Sequence, residues 1–518
     1  MKLITAKEAA ALVKDDSVVS TSGFVMNQVP EEILYELEQR FLNDGAPRNL
    51  TAVFAAGQGN GKGAGLNHLA HEGMLKRIVA GHYNLTPGIG QMVVNNRVEA
   101  YNFPQGAISQ WFRAMAGRRP GLITTVGLQT YVDPRLEGGK ISERTTEDLV
   151  ELIELDGKEY LRYKPIGIDV AIIRGTTADT DGNISMEEEV CYGEALAIAQ
   201  AAKASGGIVI AQVKRVAEAG SINPQLVRVP GLIVDYVVVT SDVAAYHRQT
   251  DTVLYDPSCS TMPRKPVNEI TPLPLDNRKI IARRCAMELE PDVSVNLGIG
   301  MPEGVSNVAN EEGIGRFMTL SVEAGAVGGI PLGGTDFGAA VNPVGIFSQP
   351  EHFDYYDGGG IDLAFLGLAE TDVHGNINVS KFKGRVAGCG GFINITQNAK
   401  KVVFCGTFTA KGLETEVKDG ALHIISEGQS RKFLSQVEQV TFSGAYAKAI
   451  GQPVLYVTER AVFRLTPEGM ELIEIAPGID LERDVLALMD FKPIVSKDLK
   501  VMDARIFKDE LMGLADKA

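Results

Sequence analysis

The chain has 518 residues, a length that predicts more than one domain, and its 65 acidic and 50 basic side chains give a formal net charge of −15. With 45% hydrophobic and 22% charged residues, the composition is globular and excludes a mainly disordered chain. The acidic balance argues against nucleic acid as a partner, and five scattered cysteines without a CxxC pair exclude a disulfide framework or a zinc ribbon.

The N-terminal segment predicts a short helix and no signal peptide. Thr5 and Glu8 form a capping-box pattern before an alanine-rich run, while Lys7 and Lys14 interrupt any apolar core. No run of about 18 apolar residues occurs later, so no membrane partner is expected. The predicted location is the cytoplasm.

Buried strands and helices alternate along the next part of the sequence. A strand over 17–21 precedes a helix that begins near Pro30. Three apolar runs, at 167–175, 207–213 and 233–239, are typical of strands buried on both faces. Their alternation with helical stretches predicts a parallel α/β architecture.

An internal repeat is the most informative feature of the organisation. Residues 167–185 align with 360–378 without a gap and are identical at eight of 19 positions. A second pair, LTAVFAAG at 50–57 and MTLSVEAG at 318–325, follows the opening strand of each copy. Such self-similarity predicts that one α/β unit occurs twice.

The predicted division of the chain follows from this repeat. Residues 256–275 contain five prolines without periodicity and are interpreted as a linker. The fold class is therefore α/β, with two tandem homologous open α/β domains over 1–255 and 276–518.

One position within the repeat separates the two copies chemically. Ala55 of the first copy corresponds to Glu323 of the second, directly before a glycine-rich turn. Open α/β sheets bind their ligands at the carboxyl ends of strands, where this carboxylate is expected. From the local sequence alone, a turn-capping role and a functional role remain equally open.

Several long motifs carry a resemblance to a known family. SVEAGAVGGIP, GNINVSKF, GCGGFINIT and VVFCGTFTAKG resemble family I coenzyme A transferases, in particular the propionate/acetate group in which both halves are fused. The similarity extends over essentially the whole chain. Val322 and Ala324 depart from the Ser-Glu-Asn-Gly glutamate motif of the wider family.

The resemblance implies transfer of CoA between short-chain acyl-CoA thioesters and short-chain carboxylic acids. It places the nucleophile at Glu323, with the Gln105 side-chain amide and the Gly391 N–H as oxyanion donors. Gln105 follows Pro104 and is expected on a turn. No metal and no permanently bound cofactor are implied, because coenzyme A is a substrate, and the family suggests a homo-oligomer, a tetramer.

Two rival functions and several minor motifs complete the expectations. An acyl-CoA hydrolase could use the same scaffold, and a non-enzymatic sensor could bind CoA or a sugar phosphate.

GQGNGKGAG at 57–65 matches neither a P-loop nor a dinucleotide fingerprint and is interpreted as a glycine loop, or as a loop near the CoA tail. His68 and His71 are expected to pack rather than bind metal, and Cys389 and Cys405 to be buried thiols.

Overall fold

The computed structural model describes residues 1–262, 264–266 and 272–517, and its contacts divide the chain into two compact units. The first comprises Met1–Lys265, Val322–Tyr355 and Phe382–Asn394. The second comprises Pro266–Ser321, Tyr356–Lys381 and Ile395–Ala518. Two segments of the C-terminal half thus belong to the first unit, which a division of the chain at 256–275 does not anticipate.

The proline-rich stretch predicted as a linker is only partly described. Pro257–Cys259 forms a 3-10 turn whose Asp256 side chain accepts a hydrogen bond from the Ser258 N–H, and Cys259 is buried. Residues 263 and 267–271 lie outside the described residues, so the linker remains a prediction there.

An eight-stranded, fully parallel sheet forms the centre of the first unit. Its strands, in chain order, are β1 (Lys2–Ile4), β2 (Val18–Thr21), β3 (Leu50–Phe54), β4 (Leu75–Ala80), β5 (Glu99–Asn102), β6 (Val170–Arg174), β7 (Ile208–Val213) and β8 (Tyr236–Val239). Their spatial order is β1-β8-β7-β6-β2-β3-β4-β5. Strands buried on both faces were expected from the apolar runs, and the sheet confirms this for β6 and β7.

A second eight-stranded sheet lies in the second unit and is mixed. Its strands are β9 (Val293–Leu297), β10 (Met318–Leu320), β11 (Leu363–Gly367), β12 (Lys401–Cys405), β13 (Val454–Val457), β14 (Ala461–Thr466), β15 (Gly469–Ile475) and β16 (Ile494–Val501). The spatial order is β10-β9-β11-β12-β13-β14-β15-β16, and β14 is antiparallel to both of its neighbours.

Helices connect these strands, and two sequence predictions about them are confirmed. The helices are α1 (Ala6–Leu12), α2 (Glu31–Asp44), α3 (Pro87–Val94), α4 (Gln105–Ala116), α5 (Ala195–Ala204), α6 (Val243–Tyr246), α7 (Asn277–Ala286), α8 (Gly304–Glu311), α9 (Gln349–Asp357), α10 (Phe392–Asn398) and α11 (Gly444–Ala449). The capping box of Thr5 and Glu8 opens α1, and α2 begins directly after Pro30.

Short strands form smaller sheets around these cores. They are Leu122–Thr124, Val150–Leu155, Lys158–Tyr163, Thr177–Asp179, Ile184–Ser185, Arg215–Ala217, Val227–Val229, Ala326–Val327, Ile330–Pro331, Ala340–Val341, Gly345–Ile346, Glu370–Asp372, Ile377–Asn378, Lys381–Phe382, Arg385–Val386, Thr409–Ala410, Glu414–Lys418, Ala421–Ser426, Ser430–Arg431 and Phe433–Leu434. The predicted strand over 233–239 is shorter than expected, because a 3-10 turn at Gly231–Ile233 precedes β8.

Topology confirms the internal repeat. The order β8-β7-β6-β2-β3 in the first unit recurs as β13-β12-β11-β9-β10 in the second. The repeated sequence also forms the same turn: Asp179 Oδ1 accepts the Asn183 N–H at 2.9 Å, and Asp372 Oδ1 accepts the Asn376 N–H at 3.1 Å. The repeat therefore encodes both a strand order and a specific hydrogen-bonded turn.

Candidate active site

Glu323 lies on a tight turn that follows β10. The Gly325 N–H donates to the Val322 carbonyl at 2.8 Å, so Glu323 and Ala324 are the central residues of the turn. Gly325 has φ +127°, and a Cβ there would lie 2.1 Å from the Phe347 carbonyl oxygen. The turn therefore requires glycine, while Glu323 itself is half-buried and accessible.

Two buried neighbours anchor this turn. Val322 and Ala324 belong to an apolar cluster with Phe24, Val25 and Ala56. Because the residues on both sides of Glu323 are fixed in this cluster, its backbone has little freedom to move. The carboxylate therefore extends from an ordered base.

Gln105 differs from its sequence-based expectation. It is the first residue of α4 and only 2% exposed, rather than a solvated residue on a turn. Its main-chain N–H donates to the Gly390 carbonyl at 2.9 Å, while no residue in the described part of the chain bonds to its side-chain Nε2. A buried amide donor without a partner costs free energy, so this one is available for a ligand oxygen.

The GCGGF segment forms a close-packed turn beside Gln105. The Gly390 N–H donates to the Gly81 carbonyl at 2.7 Å, and the Phe392 N–H to the Cys389 carbonyl at 3.0 Å. Between them, the N–H of the buried Gly391 donates to no main-chain carbonyl in the turn and loop contacts of residues 1–262, 264–266 and 272–517. The structure thus brings Gln105 and the Gly391 turn together.

The carboxyl end of β3 connects this pair with the Glu323 turn. A Cβ on Gly81 would lie 2.2 Å from the Ala55 carbonyl oxygen and 3.2 Å from Gln105 Cα, so these backbones are in contact. The next residue, Ala56, belongs to the cluster that holds Val322 and Ala324. All three predicted residues consequently belong to the first unit, whereas the repeat comparison had assigned Gln105 and Glu323 to different domains.

His82 is a residue of this region that sequence analysis missed. It lies two residues after the end of β4, beside Gly390 and Gly57. The sequence feature that could have pointed to His82 is its position after a buried strand, next to Gly81, because open α/β sheets bind ligands at the carboxyl ends of strands.

A cavity of about 380 Å³ lies in the same unit. Glu194 borders it, is 1% exposed, and neither carboxylate oxygen has a hydrogen-bond partner among the described residues. Burial raises the pKa of this carboxyl to about 8, so it is mostly protonated at neutral pH. Other residues lining the cavity are Arg113, Tyr192, Gly193, Arg228, Phe347 and Ser348.

The minor motifs are accounted for by packing. His68 bonds Glu31 and Glu38 at 2.9 and 2.7 Å, and His71 bonds Glu38 at 2.7 Å. No group of three or more potential metal ligands occurs in the described ranges of the chain. Cys389 and Cys405 are buried as predicted, and burial raises the pKa of the Cys389 thiol to about 12, which makes it a poor nucleophile.

Comparison with known proteins identifies the family. The chain is 48% identical to a caffeate CoA-transferase of Acetobacterium woodii, over 99% of this chain and 98% of that protein. The chain belongs to the coenzyme A transferase family. The family profile for Coenzyme A transferase matches residues 3–240. This protein is accordingly a CoA-transferase of the fused type.

Two further similarities extend over almost the whole CoA-transferase. It is 41% identical to the acetate CoA-transferase YdiF of Escherichia coli K12, over 99% of this chain and 96% of that one. Its fold matches the crystal structure of the acyl-CoA transferase YdiF from E. coli O157:H7 in a thioester complex with CoA, with a TM-score of 0.90, 41% identity and coverage of 99% and 97%. The tandem α/β fold is thus confirmed.

The helices of this transferase are short or polar. Among the described residues, none combines the length and the apolar character that a membrane crossing requires.

Proposed function

We propose that this CoA-transferase exchanges CoA between short-chain acyl-CoA thioesters and short-chain carboxylic acids through a glutamyl-CoA thioester on Glu323. The observation that carries the proposal is the buried, unpartnered Nε2 of Gln105 next to the Gly390–Gly391 turn, in the same unit as Glu323. The names of the relatives, acetate and caffeate CoA-transferases, support carboxylic acids as acceptors.

The first half-reaction forms an anhydride. The Glu323 carboxylate attacks the thioester carbonyl, and the resulting oxyanion accepts hydrogen bonds from Gln105 Nε2 and the Gly391 N–H. The C–S bond then breaks, which leaves an acyl-glutamyl anhydride and CoA thiolate. An anhydride preserves the reactivity of the thioester, which an ester on a serine would not.

The second step transfers CoA to the enzyme. The thiolate attacks the glutamyl carbonyl, the first carboxylate leaves, and a glutamyl-CoA thioester remains on Glu323. A second carboxylate attacks this thioester and the two steps run in reverse, which releases a new acyl-CoA. These steps need no metal or redox cofactor, so exhaustive chelation should leave activity unchanged.

Intact-mass spectrometry after incubation with acetyl-CoA tests the proposal. The wild-type chain should gain the mass of CoA minus water, and the Glu323→Gln variant should gain nothing. Glu218→Gln changes an exposed glutamate and serves as the matched control, which should form the adduct. An adduct on Cys389, or rapid release of free CoA without an acceptor acid as in a hydrolase, would contradict the proposal.

The cytoplasmic location and the homo-oligomeric state remain predictions. Size-exclusion chromatography with light scattering would measure the number of subunits directly.

A further inference from the structure

His82 and Gln105 lie on two sides of the same small space. A Cβ on Gly390 would lie 3.9 Å from His82 Cδ2 and 3.7 Å from Gln105 Oε1, with neither in collision. A ligand atom against the α-carbon of Gly390 would therefore contact both side chains. Cδ2 is bonded to Nε2, so a ring nitrogen borders this space.

The imidazole has a defined protonation state. Burial, together with the positive charge of Arg385, lowers the pKa of His82 to about 4. The neutral ring carries one N–H donor and one lone pair. Neither ring nitrogen bonds to another residue in the described part of the protein, and His82 as a whole residue is half-buried rather than fully enclosed.

One glycine makes room for this ring, and a second lies against the backbone of His82. A Cβ on Gly57 would lie 2.6 Å from His82 Nδ1, and a Cβ on Gly388 would lie 2.9 Å from His82 Cα. Gly57 opens the glycine-rich segment 57–65, for which sequence analysis found no specific role. Its first glycine is thus explained by the position of His82.

We propose that His82 is a further catalytic residue, whose ring N–H donates a hydrogen bond to the sulfur of CoA when the C–S bond breaks and re-forms. The inference rests on the proposed function, in which Gln105 and Gly391 stabilise the oxyanion and leave the thiolate without a donor. No proton is transferred: the electron pair of the C–S bond stays on sulfur, and the N–H remains on the ring.

A neutral imidazole suits this role better than a charged one. An imidazolium is a stronger acid than a thiol, whose ordinary pKa is about 8.5, and would protonate the thiolate that must attack in the next step. A neutral N–H is a far weaker acid, so it stabilises the thiolate and leaves it nucleophilic.

Variants at His82 test the proposal in the full-length enzyme. His82→Phe keeps an aromatic ring but removes the donor, and should lower kcat by about 10²-fold with KM for acetyl-CoA changed less than threefold. His82→Gln places an amide N–H near the position of Nε2 and should recover at least a tenth of wild-type kcat. Equal losses in both variants, or none in either, would overturn the proposal.

Chemical rescue distinguishes a catalytic from a structural role, because added imidazole would not restore activity if His82 only supported the fold. Added imidazole should restore part of the activity of His82→Ala, and the rescue should follow the neutral form of imidazole as pH rises. Rescue by imidazolium alone, or none at all, would contradict thiolate stabilisation. If the wild type forms no CoA adduct on Glu323, the proposed function itself fails, whatever the His82 variants show.

Gly57→Ala provides a second, independent test. The added methyl should displace the ring and lower kcat in the presence of His82, but cause no further loss in the His82→Ala background, where the space is empty. Residues that act through one contact lose activity non-additively. Additive losses would show that Gly57 and His82 act separately.

Discussion

The main-chain N–H of Gln105 donates to the carbonyl of Gly390 at 2.9 Å. This bond joins the first residue of α4 to the glycine turn that carries the Gly391 N–H, so the two proposed oxyanion donors are held by one contact. The side-chain amide of Gln105 is buried next to that contact without a partner of its own among the described residues. The arrangement fits donors that are oriented before the substrate arrives.

Replacement of Gln105 by alanine should lower kcat by about 10²- to 10³-fold, because one oxyanion donor is lost. Its far-ultraviolet circular dichroism should match that of the wild type. Gln91→Ala, at an exposed position on α3, is the control and should keep full activity. A Gln105→Ala enzyme with wild-type kcat would remove Gln105 from the mechanism.

Glu323→Asp should retain the carboxylate but withdraw it by one methylene. Because the turn is anchored by Val322 and Ala324, the backbone cannot follow, and a misplacement of about 1 Å costs on the order of 10²-fold in rate. A quenched-flow measurement of the rate at which the CoA adduct forms from acetyl-CoA would give this value. A loss below threefold would mean that the turn is mobile.

Glu194→Gln should flatten the pH dependence of stability. Unfolded Glu194 ionises near its ordinary pKa, whereas the folded protein holds the proton to about pH 8, so the unfolded state binds fewer protons. The free energy of unfolding therefore falls as pH rises between about 4.5 and 8, by roughly 3 kcal/mol at pH 7. Denaturant titrations at pH 5 and 8 would show whether the variant loses this slope.

His68 should stabilise the folded protein at low pH and lose this contribution as pH rises. Burial opposes its charge, but hydrogen bonds to Glu31 and Glu38 dominate and raise its pKa. The contribution is complete below the ordinary value near 6.5 and is lost as pH rises through the raised value. His68→Gln should thus destabilise the protein at pH 6 more than at pH 9, as measured by thermal unfolding.

The repeated turns offer a matched pair of substitutions. Asp179→Ala and Asp372→Ala each remove a buried carboxylate that accepts three main-chain N–H groups and an asparagine side chain. Each should cost about 1–3 kcal/mol, because the donors lose their acceptor. Thermal unfolding should therefore start at a lower temperature in both variants, and an effect in only one copy would show that the turns are not equivalent.

The sheet strands were predictable because uninterrupted apolar runs leave few alternatives to a buried parallel strand. Glu323 could be singled out as a candidate by comparing the two copies, since a single carboxylate replaces Ala55 at a strand end. Gln105 could be named from the resemblance, but its burial could not be foreseen: its partner Gly390 is distant in the sequence. His82 was missed for the same reason, because Gly57 and Gly390 make its surroundings only after folding.

Val386 packs in the hydrophobic core of the first unit, with residues of α1, α2 and α3. Val322 and Ala324 likewise complete an apolar cluster with Phe24 and Val25. A polypeptide ending near residue 265 would leave these surfaces open to water, so its solubility should depend on the rest of the chain. Co-expressed from separate genes, the two halves should therefore be recovered as one complex, while the N-terminal half alone should aggregate.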